Sequence, residues 1–226
     1  MRTQEMAMLE AMTNQNQNDA LLLLDTCGER GSVALFRGDD LLAEAVLPER
    51  TASAALLEVI RSVLREAGIR LGELSAIGVV RGPGSFTGVR VGLAVAKGLC
   101  IATGVPLAAV SRLEVFAGAA PTGQGLAVLN AGRDEVYVRE IGPESNPRER
   151  LMTIATLLGM IEERTLVCAE PALESRLDGE GHMTLISLSA KDALGAVRQC
   201  LAAGGSEVGT ADANYVRNEE AIYARR

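Results

Sequence analysis

The amino-acid sequence predicts an α/β protein built from two halves of similar element order. Three observations lead there. Short apolar runs alternate along the chain with stretches of helical spacing. The 24 glycines lie in a chain that is 48% hydrophobic, which fits tight turns between packed elements rather than disorder. The order strand, strand, strand, helix, strand, helix, strand in the first half returns in weaker form in the second. Trp is absent and aromatics make up 3%, so the core must be aliphatic. A length of 226 residues suits one large domain or two small lobes.

Each element has its own justification. Residues 21–24 form an unbroken apolar run ending at Asp25, the pattern of a strand buried on both faces. Turns at 28–31 and 37–40 separate it from strands at 32–36 and 41–47, which makes a meander. Over 51–67, Leu56, Val59, Ile60, Val63, Leu64 and Ala67 fall on one helical stripe. Thr51 or Ser53 suits its start and Gly68 its end. A strand at 75–80, a glycine-rich loop, a helix at about 87–103 and a strand at 107–110 complete the first half. In the second half, strands are expected at 125–130 and 135–141 around a turn at Gly132, Arg133 and Asp134. A helix follows at 151–161, then strands at 165–168 and 185–189 and a helix at 190–203, with 143–150 a surface loop. This duplicated order is that of the actin-like and sugar-kinase class. The expected division is a disordered polar tail at 1–19, an N-terminal lobe at 20–110 and a C-terminal lobe at 111–226.

Composition narrows the function classes. The formal charge of −7 argues against tight, independent nucleic-acid binding. Between Ser75 and Leu113, however, there is no Asp or Glu, while Arg81, Arg90, Lys97 and Arg112 are present. Such a stretch suits an acidic partner, a phosphate or RNA, or is ordinary surface chemistry. Cys27, Cys100, Cys168 and Cys200 form no CxxC pair, and His182 is the single histidine, so a zinc site is not expected. Reduced thiols and the lack of an apolar leader in the first residues point to the cytoplasm. The longest apolar stretches are interrupted by charge or glycine and read as too short to cross a bilayer.

The loop 81–88 joins a buried strand to a helix. Gly82 and Gly84 permit unusual backbone angles, Pro83 stiffens the turn, and Ser85 or Thr87 can cap the helix. A glycine-rich turn at a helix N-terminus is also suited to an anion, although the loop lacks the Gly-Lys-Ser/Thr ending of a P-loop and does not match G-x-G-x-x-G. From the residues alone, an anion cradle and a structural turn are equally compatible. The helix that follows is apolar on nearly every side and so calls for cover on more than one face. Gly88, Gly92, Ala96 and Cys100 recur every four residues, a row that lets another helix approach closely. That row predicts that Gly92→Arg or Ala96→Glu would break an assembly while sparing the monomer.

Taken together, the run Leu23-Leu24-Asp25-Thr26, the segment from Arg81-Gly82-Pro83-Gly84-Ser85-Phe86-Thr87-Gly88-Val89-Arg90 to Ala96-Lys97-Gly98-Leu99, and the later landmarks closely resemble the bacterial TsaB family, also called YeaZ. Those landmarks are Val110-Ser111-Arg112-Leu113-Glu114, Glu135-Val136-Tyr137 and Asn214-Tyr215-Val216-Arg217. The resemblance covers about residues 20–217. It implies an actin-like fold of two lobes, of the ribonuclease H-like ASKHA kind. It also implies a non-catalytic subunit that pairs, through N-lobe helices, with a TsaD-like ATPase that transfers threonylcarbamoyl to tRNAs reading codons that begin with adenine. Further implied are a TsaE-like ATPase docking on the pair, self-association through a similar surface, contact with tRNA only through the complex, and no membrane.

On this resemblance the partner interface is assigned to Ser85, Phe86, Val89, Arg90, Gly92, Leu93, Ala96, Lys97 and Cys100. Asp25, Thr26 and Gly28 are assigned to a vestigial nucleotide-binding turn. No catalytic residue, metal ligand or cofactor is expected. Catalytic relatives hold a metal with a His-x-x-x-His pair on an N-lobe helix, and residues 51–67 contain no histidine. The chain also departs from the family pattern. Cys27 stands where Ser is usual, Thr51 lies near a common His-Ser pair, and Asn130-Ala131-Gly132-Arg133 replaces Asp-Ala-Arg. The competing reading is an enzyme, either an actin-like ATPase using Asp25 or a glycoprotease-like hydrolase. Against the hydrolase stands the lack of a Ser/His pair.

Overall fold

The computed structural model describes residues 19–48, 52–121, 123–143, 148–161, 165–168, 173, 176–177 and 182–216. The expected tail, Asp19 excepted, and the Thr51 cap lie outside the described residues. The chain forms two compact units.

In the first unit, β1 (Ala20–Asp25), β2 (Ser32–Arg37), β3 (Asp40–Val46), β4 (Leu74–Val80) and β5 (Leu107–Val110) form one sheet in the order β3-β2-β1-β4-β5. The pairs β1–β2 and β2–β3 are antiparallel, while β1–β4 and β4–β5 are parallel. All six residues of β1 are buried, because a central strand is covered on both faces. Helix α1 (Ala52–Glu66) buries Leu56, Ile60, Val63 and Leu64 against this sheet. It ends at Gly68, whose φ of 66° is the left-handed angle a helix C-terminus needs, and Ile69 N–H donates to Leu64 O at 2.9 Å. Helix α2 (Phe86–Thr103) also packs on the sheet.

The second unit repeats the plan. It contains β6 (Gly125–Gly132), β7 (Glu135–Ile141), β8 (Arg150–Thr153), β9 (Thr165–Cys168) and β10 (His182–Leu185), ordered β10-β9-β6-β7-β8. Numbered within their own halves, both sheets run 3-2-1-4-5 with the same parallel and antiparallel pairs. The duplication inferred from element order is therefore present in the topology. Helices α3 (Arg112–Gly118) and α4 (Ile154–Ile161) flank this sheet, and Leu126, Val128, Val136, Val138, Leu157 and Leu166 form its core.

Four expectations are corrected. The apolar run 151–161 is not one helix. Leu151 and Met152 pair with Tyr137 and Val136 as part of β8, and the Thr153 hydroxyl then accepts from Thr156 N–H at 3.1 Å to start α4. The last strand is His182–Leu185 rather than 185–189. The last helix starts with a 3-10 turn at Ala190–Ala193, where Ser189 N–H donates to the Asp192 carboxylate at 2.7 Å, and continues as α5 (Leu194–Ala202).

The fourth correction concerns the division at residue 110. Ser189–Asp212 belongs to the first unit, because several contacts fasten it there. Ala190 N–H donates to the buried Ser32 hydroxyl at 2.7 Å. Ser206 N–H donates to Leu107 O at 2.7 Å, and the Ser206 hydroxyl accepts from Ala109 N–H at 3.0 Å, which covers the β5 edge.

Gly78 shows how closely α5 sits. It lies opposite Leu23 in the β1–β4 pair, and a Cβ there would approach Leu23 and Val197 to 2.6 Å each. Gly78→Val is expected to cost about 1–3 kcal/mol by overpacking, measured as a lower urea midpoint. An unchanged midpoint would remove this account of α5.

Candidate functional site

The site is built around α2. The Gly82–Pro83 peptide before it is cis. Ser85 caps the helix, its hydroxyl accepting from Gly88 N–H at 3.3 Å. Gly104, with φ of 75°, closes it by donating to Cys100 O at 2.8 Å.

The two sides of α2 differ. Val89, Leu93, Ala96 and Cys100 recur at helical spacing and are buried, the last three in the first unit's core. Burial pushes the Cys100 thiol up to about 11. Gly88 and Gly92 face the turn after β1. A Cβ at Gly88 would fall on the Thr26 carbonyl oxygen, and one at Gly92 on the Thr26 hydroxyl. The outer side carries Phe86, 60% exposed, then Arg90, Ala94, Gly98 and Ile101, 76% exposed. The Arg90 guanidinium lies 3.6 Å from the centre of the Phe86 ring, a cation–π stack at the start of this face. A Cβ at Gly98 would meet nothing.

The residues assigned to a partner interface therefore divide. Ser85, Phe86 and Arg90 are exposed, whereas Val89, Gly92, Leu93, Ala96 and Cys100 are buried, with Gly92 against Thr26 and Leu93, Ala96 and Cys100 in the first unit's core. Lys97 donates to Ala211 O at 2.7 Å and to Gly209 O at 3.5 Å, while Arg81 donates to Asp212 O at 3.3 Å. Both cations thus hold the returning C-terminal segment. Within the small-residue row, Gly88 and Gly92 meet the chain's own β1 turn, while Ala96 and Cys100 are buried in the first unit's core. The exposed set, Ala94, Gly98 and Ile101, escaped sequence reasoning, although its spacing from Arg90 was the available signal. By length and composition α2 is long enough to cross a membrane, contrary to the sequence expectation, but it contains Arg90 and Lys97 and its inner face is packed on the sheet.

The turn after β1 gathers Asp25, Thr26 and Gly28. Asp25 is 5% exposed and its carboxylate accepts from Cys27 N–H at 2.8 Å. The Thr26 hydroxyl donates to Gly88 O at 2.7 Å, and Gly28 is half-buried. Cys27 O accepts from Ser85 N–H at 2.8 Å, and the Cys27 thiol donates to Val80 O at 3.1 Å. The polar groups of the nucleotide-type turn thus hold the turn itself and the start of α2.

In the second unit, Ser111 caps α3 by accepting from Leu113 N–H at 3.2 Å. Asn214 donates to that hydroxyl at 3.2 Å and to Glu149 at 2.5 Å, which links three distant parts of the sequence. Asn130 accepts from Gly132 N–H at 2.8 Å and so serves the β6–β7 turn, whose residues Gly132, Arg133 and Asp134 all have positive φ. Among the described residues, no group of three or more His, Cys, Asp or Glu is placed to hold a metal.

Two five-stranded units of the same 3-2-1-4-5 order define the class as an actin-like, duplicated α/β protein. A family model described as TsaD, tRNA N6-adenosine threonylcarbamoyltransferase, matches residues 44–186. The chain belongs to that family, within its TsaB/YeaZ branch. It is 38% identical over 130 residues to the tRNA threonylcarbamoyladenosine biosynthesis protein TsaB of Haemophilus influenzae, covering 55% of each chain. It is 30% identical over 157 residues to the Bacillus subtilis protein of the same description, covering 64% of this chain and 66% of that one. The chain thus matches little more than half the length of the first of these. Among solved structures, YeaZ from Pseudomonas aeruginosa superposes with a TM-score of 0.71 at 27% identity, covering 87% of this chain and 99% of that one.

The burial of α2's inner face reverses the expected outcome at Gly92 and Ala96. Ala96→Glu would place a carboxylate in a closed core and is expected to cost more than about 3 kcal/mol in the isolated chain. Thermal unfolding of the purified monomer checks this; an unaltered midpoint would contradict the packing described.

Proposed function

We propose that this chain is a non-catalytic, cytoplasmic subunit that docks a TsaD-like transferase during threonylcarbamoyladenosine formation in tRNA. One observation carries the reading. The helix bearing the family segment seals one face in its own core and leaves Phe86, Ala94, Gly98 and Ile101 exposed on the other. A face of this kind, with small residues between larger apolar ends, suits a helix of a partner approaching at close range. Further support comes from the committed state of Asp25 and Thr26 and from the lack of histidine on α1. In the same reading a TsaE-like ATPase joins the assembled pair, tRNA is reached only through the complex, and the outer face of α2 serves self-association when the partner is absent.

The test is co-elution with the TsaD-like protein of the same cell. Ala94→Arg and Ile101→Glu are expected to abolish co-elution while leaving the thermal midpoint of the isolated chain within about 2 °C, since both positions are on the surface. Persistent co-elution of both variants would sink the docking face. The isolated chain is also expected to hydrolyse no ATP. Turnover that survives purification and disappears in Asp25→Ala would establish the enzyme reading instead.

A further inference from the structure

The structure assigns Thr26 a role no catalytic or binding account gives it: we infer that its hydroxyl and carbonyl position α2 for docking. This rests on the partner-subunit reading above. Thr26 is 6% exposed and sits where the central strand β1 ends. Its hydroxyl donates to Gly88 O at 2.7 Å, an acceptor in the first turn of α2. The next residue accepts from Ser85 N–H at 2.8 Å, so two bonds of opposite sense grip the helix start. The carbonyl and hydroxyl of Thr26 occupy the space where Cβ atoms at Gly88 and Gly92 would lie. The strand end therefore fixes the helix in two respects. The glycines set how close α2 comes, and the Thr26 hydroxyl sets its longitudinal register.

Docking depends on this register because inner and outer faces belong to one rigid helix. A shift that frees Gly88 from Thr26 also moves Phe86 and Arg90, which stack at the outer face of the same turn. Thr26 is thus a positioning residue that acts through α2 and need touch no partner. A buried hydroxyl of matched kind provides the control. Ser32 is 2% exposed, lies in the same sheet and accepts from Ala190 N–H, with no bond to α2.

The experiment compares Thr26→Val, Thr26→Ser and Ser32→Ala in the full chain. Each variant is titrated against the TsaD-like protein, melted, and followed by amide exchange over residues 85–95. Thr26→Val is expected to weaken association about tenfold and to speed exchange in that segment, while Thr26→Ser stays within about twofold of the parent. Ser32→Ala, even where it lowers the midpoint as far, is expected to leave association within about twofold. The inference is overturned if Thr26→Val binds and exchanges as the parent does, or if affinity follows midpoint alike in Thr26→Val and Ser32→Ala. Should Thr26→Val fail to fold, Gly92→Ala, which pushes the hydroxyl aside, must show the same loss and the same local exchange; parent-like behaviour there overturns the inference too. A parent chain that does not associate at all defeats the partner-subunit reading itself, a result separate from any difference among variants.

Discussion

The close approach of α2 to the end of β1 is the constraint on which the first unit turns. Glycine at 88 and 92 each costs roughly 1 kcal/mol of helix propensity relative to alanine. That cost is offset only if the space a Cβ would fill is used, and here the Thr26 carbonyl and hydroxyl use it. Once the helix lies this close, Leu93, Ala96 and Cys100 drop into the core with the β-strand residues. The outer residues are then fixed by subtraction. At 3.6 residues per turn, Arg90, Ala94, Gly98 and Ile101 have no route inward. The exposed apolar face is therefore a consequence of how the inner face is packed.

The same constraint accounts for what has become of the turn after β1. Duplicated folds of this class have the same strand order in both halves, as the two sheets do here. The first-half turn keeps an acid and a hydroxyl, the residue types that would suit phosphate or magnesium. In this chain the Asp25 carboxylate accepts from Cys27 N–H and the Thr26 hydroxyl donates to Gly88 O, both backbone groups. Even Cys27, a departure from the family pattern, supports the turn through Val80 O. The same residue types thus serve the packing of the turn, whatever else they touch, and a fold of this kind does not by itself fix the use of its site.

Much of this was legible in the sequence, for identifiable reasons. The unbroken run at 21–24 marks a strand covered on both faces, and the stripe at Leu56, Ile60, Val63 and Leu64 marks α1. Ser85 as a cap and Gly68 and Gly104 as helix ends follow from local chemistry alone. What escaped was set by contacts between distant residues. Residues 151–153 look helical until β7 offers a partner strand. Ser189–Asp212 looks like part of the second half until Ser32 and Leu107 receive it. For α2, periodicity showed that the helix was apolar on most sides but not which side faced the sheet. The row Gly88, Gly92, Ala96 and Cys100 is equally suited to a foreign helix and to the chain's own turn. Only the position of Thr26 decides between them.

That decision bears on how the chain would work in a complex. If the small-residue row were the docking surface, partner binding would compete with the chain's own core, and the subunit would be incompletely folded alone. With Gly88 and Gly92 closed by Thr26 and Ala96 and Cys100 in the core, the chain can fold first and then offer a finished helix face, as the proposed docking requires. Preformed surfaces lose less ordering entropy on association than surfaces that must assemble during binding. Lys97 and Arg81 act in the same direction, because they hold the carbonyls of the returning segment at 209–212 and so do not have to be withdrawn from solvent by a partner. The charged member left on the outer face is Arg90, already stacked on Phe86. A stacked guanidinium is held in one orientation by the ring, which lowers the ordering cost of covering it. The outer face of α2 thus joins apolar area, small side chains and one stacked cation on a single rigid element.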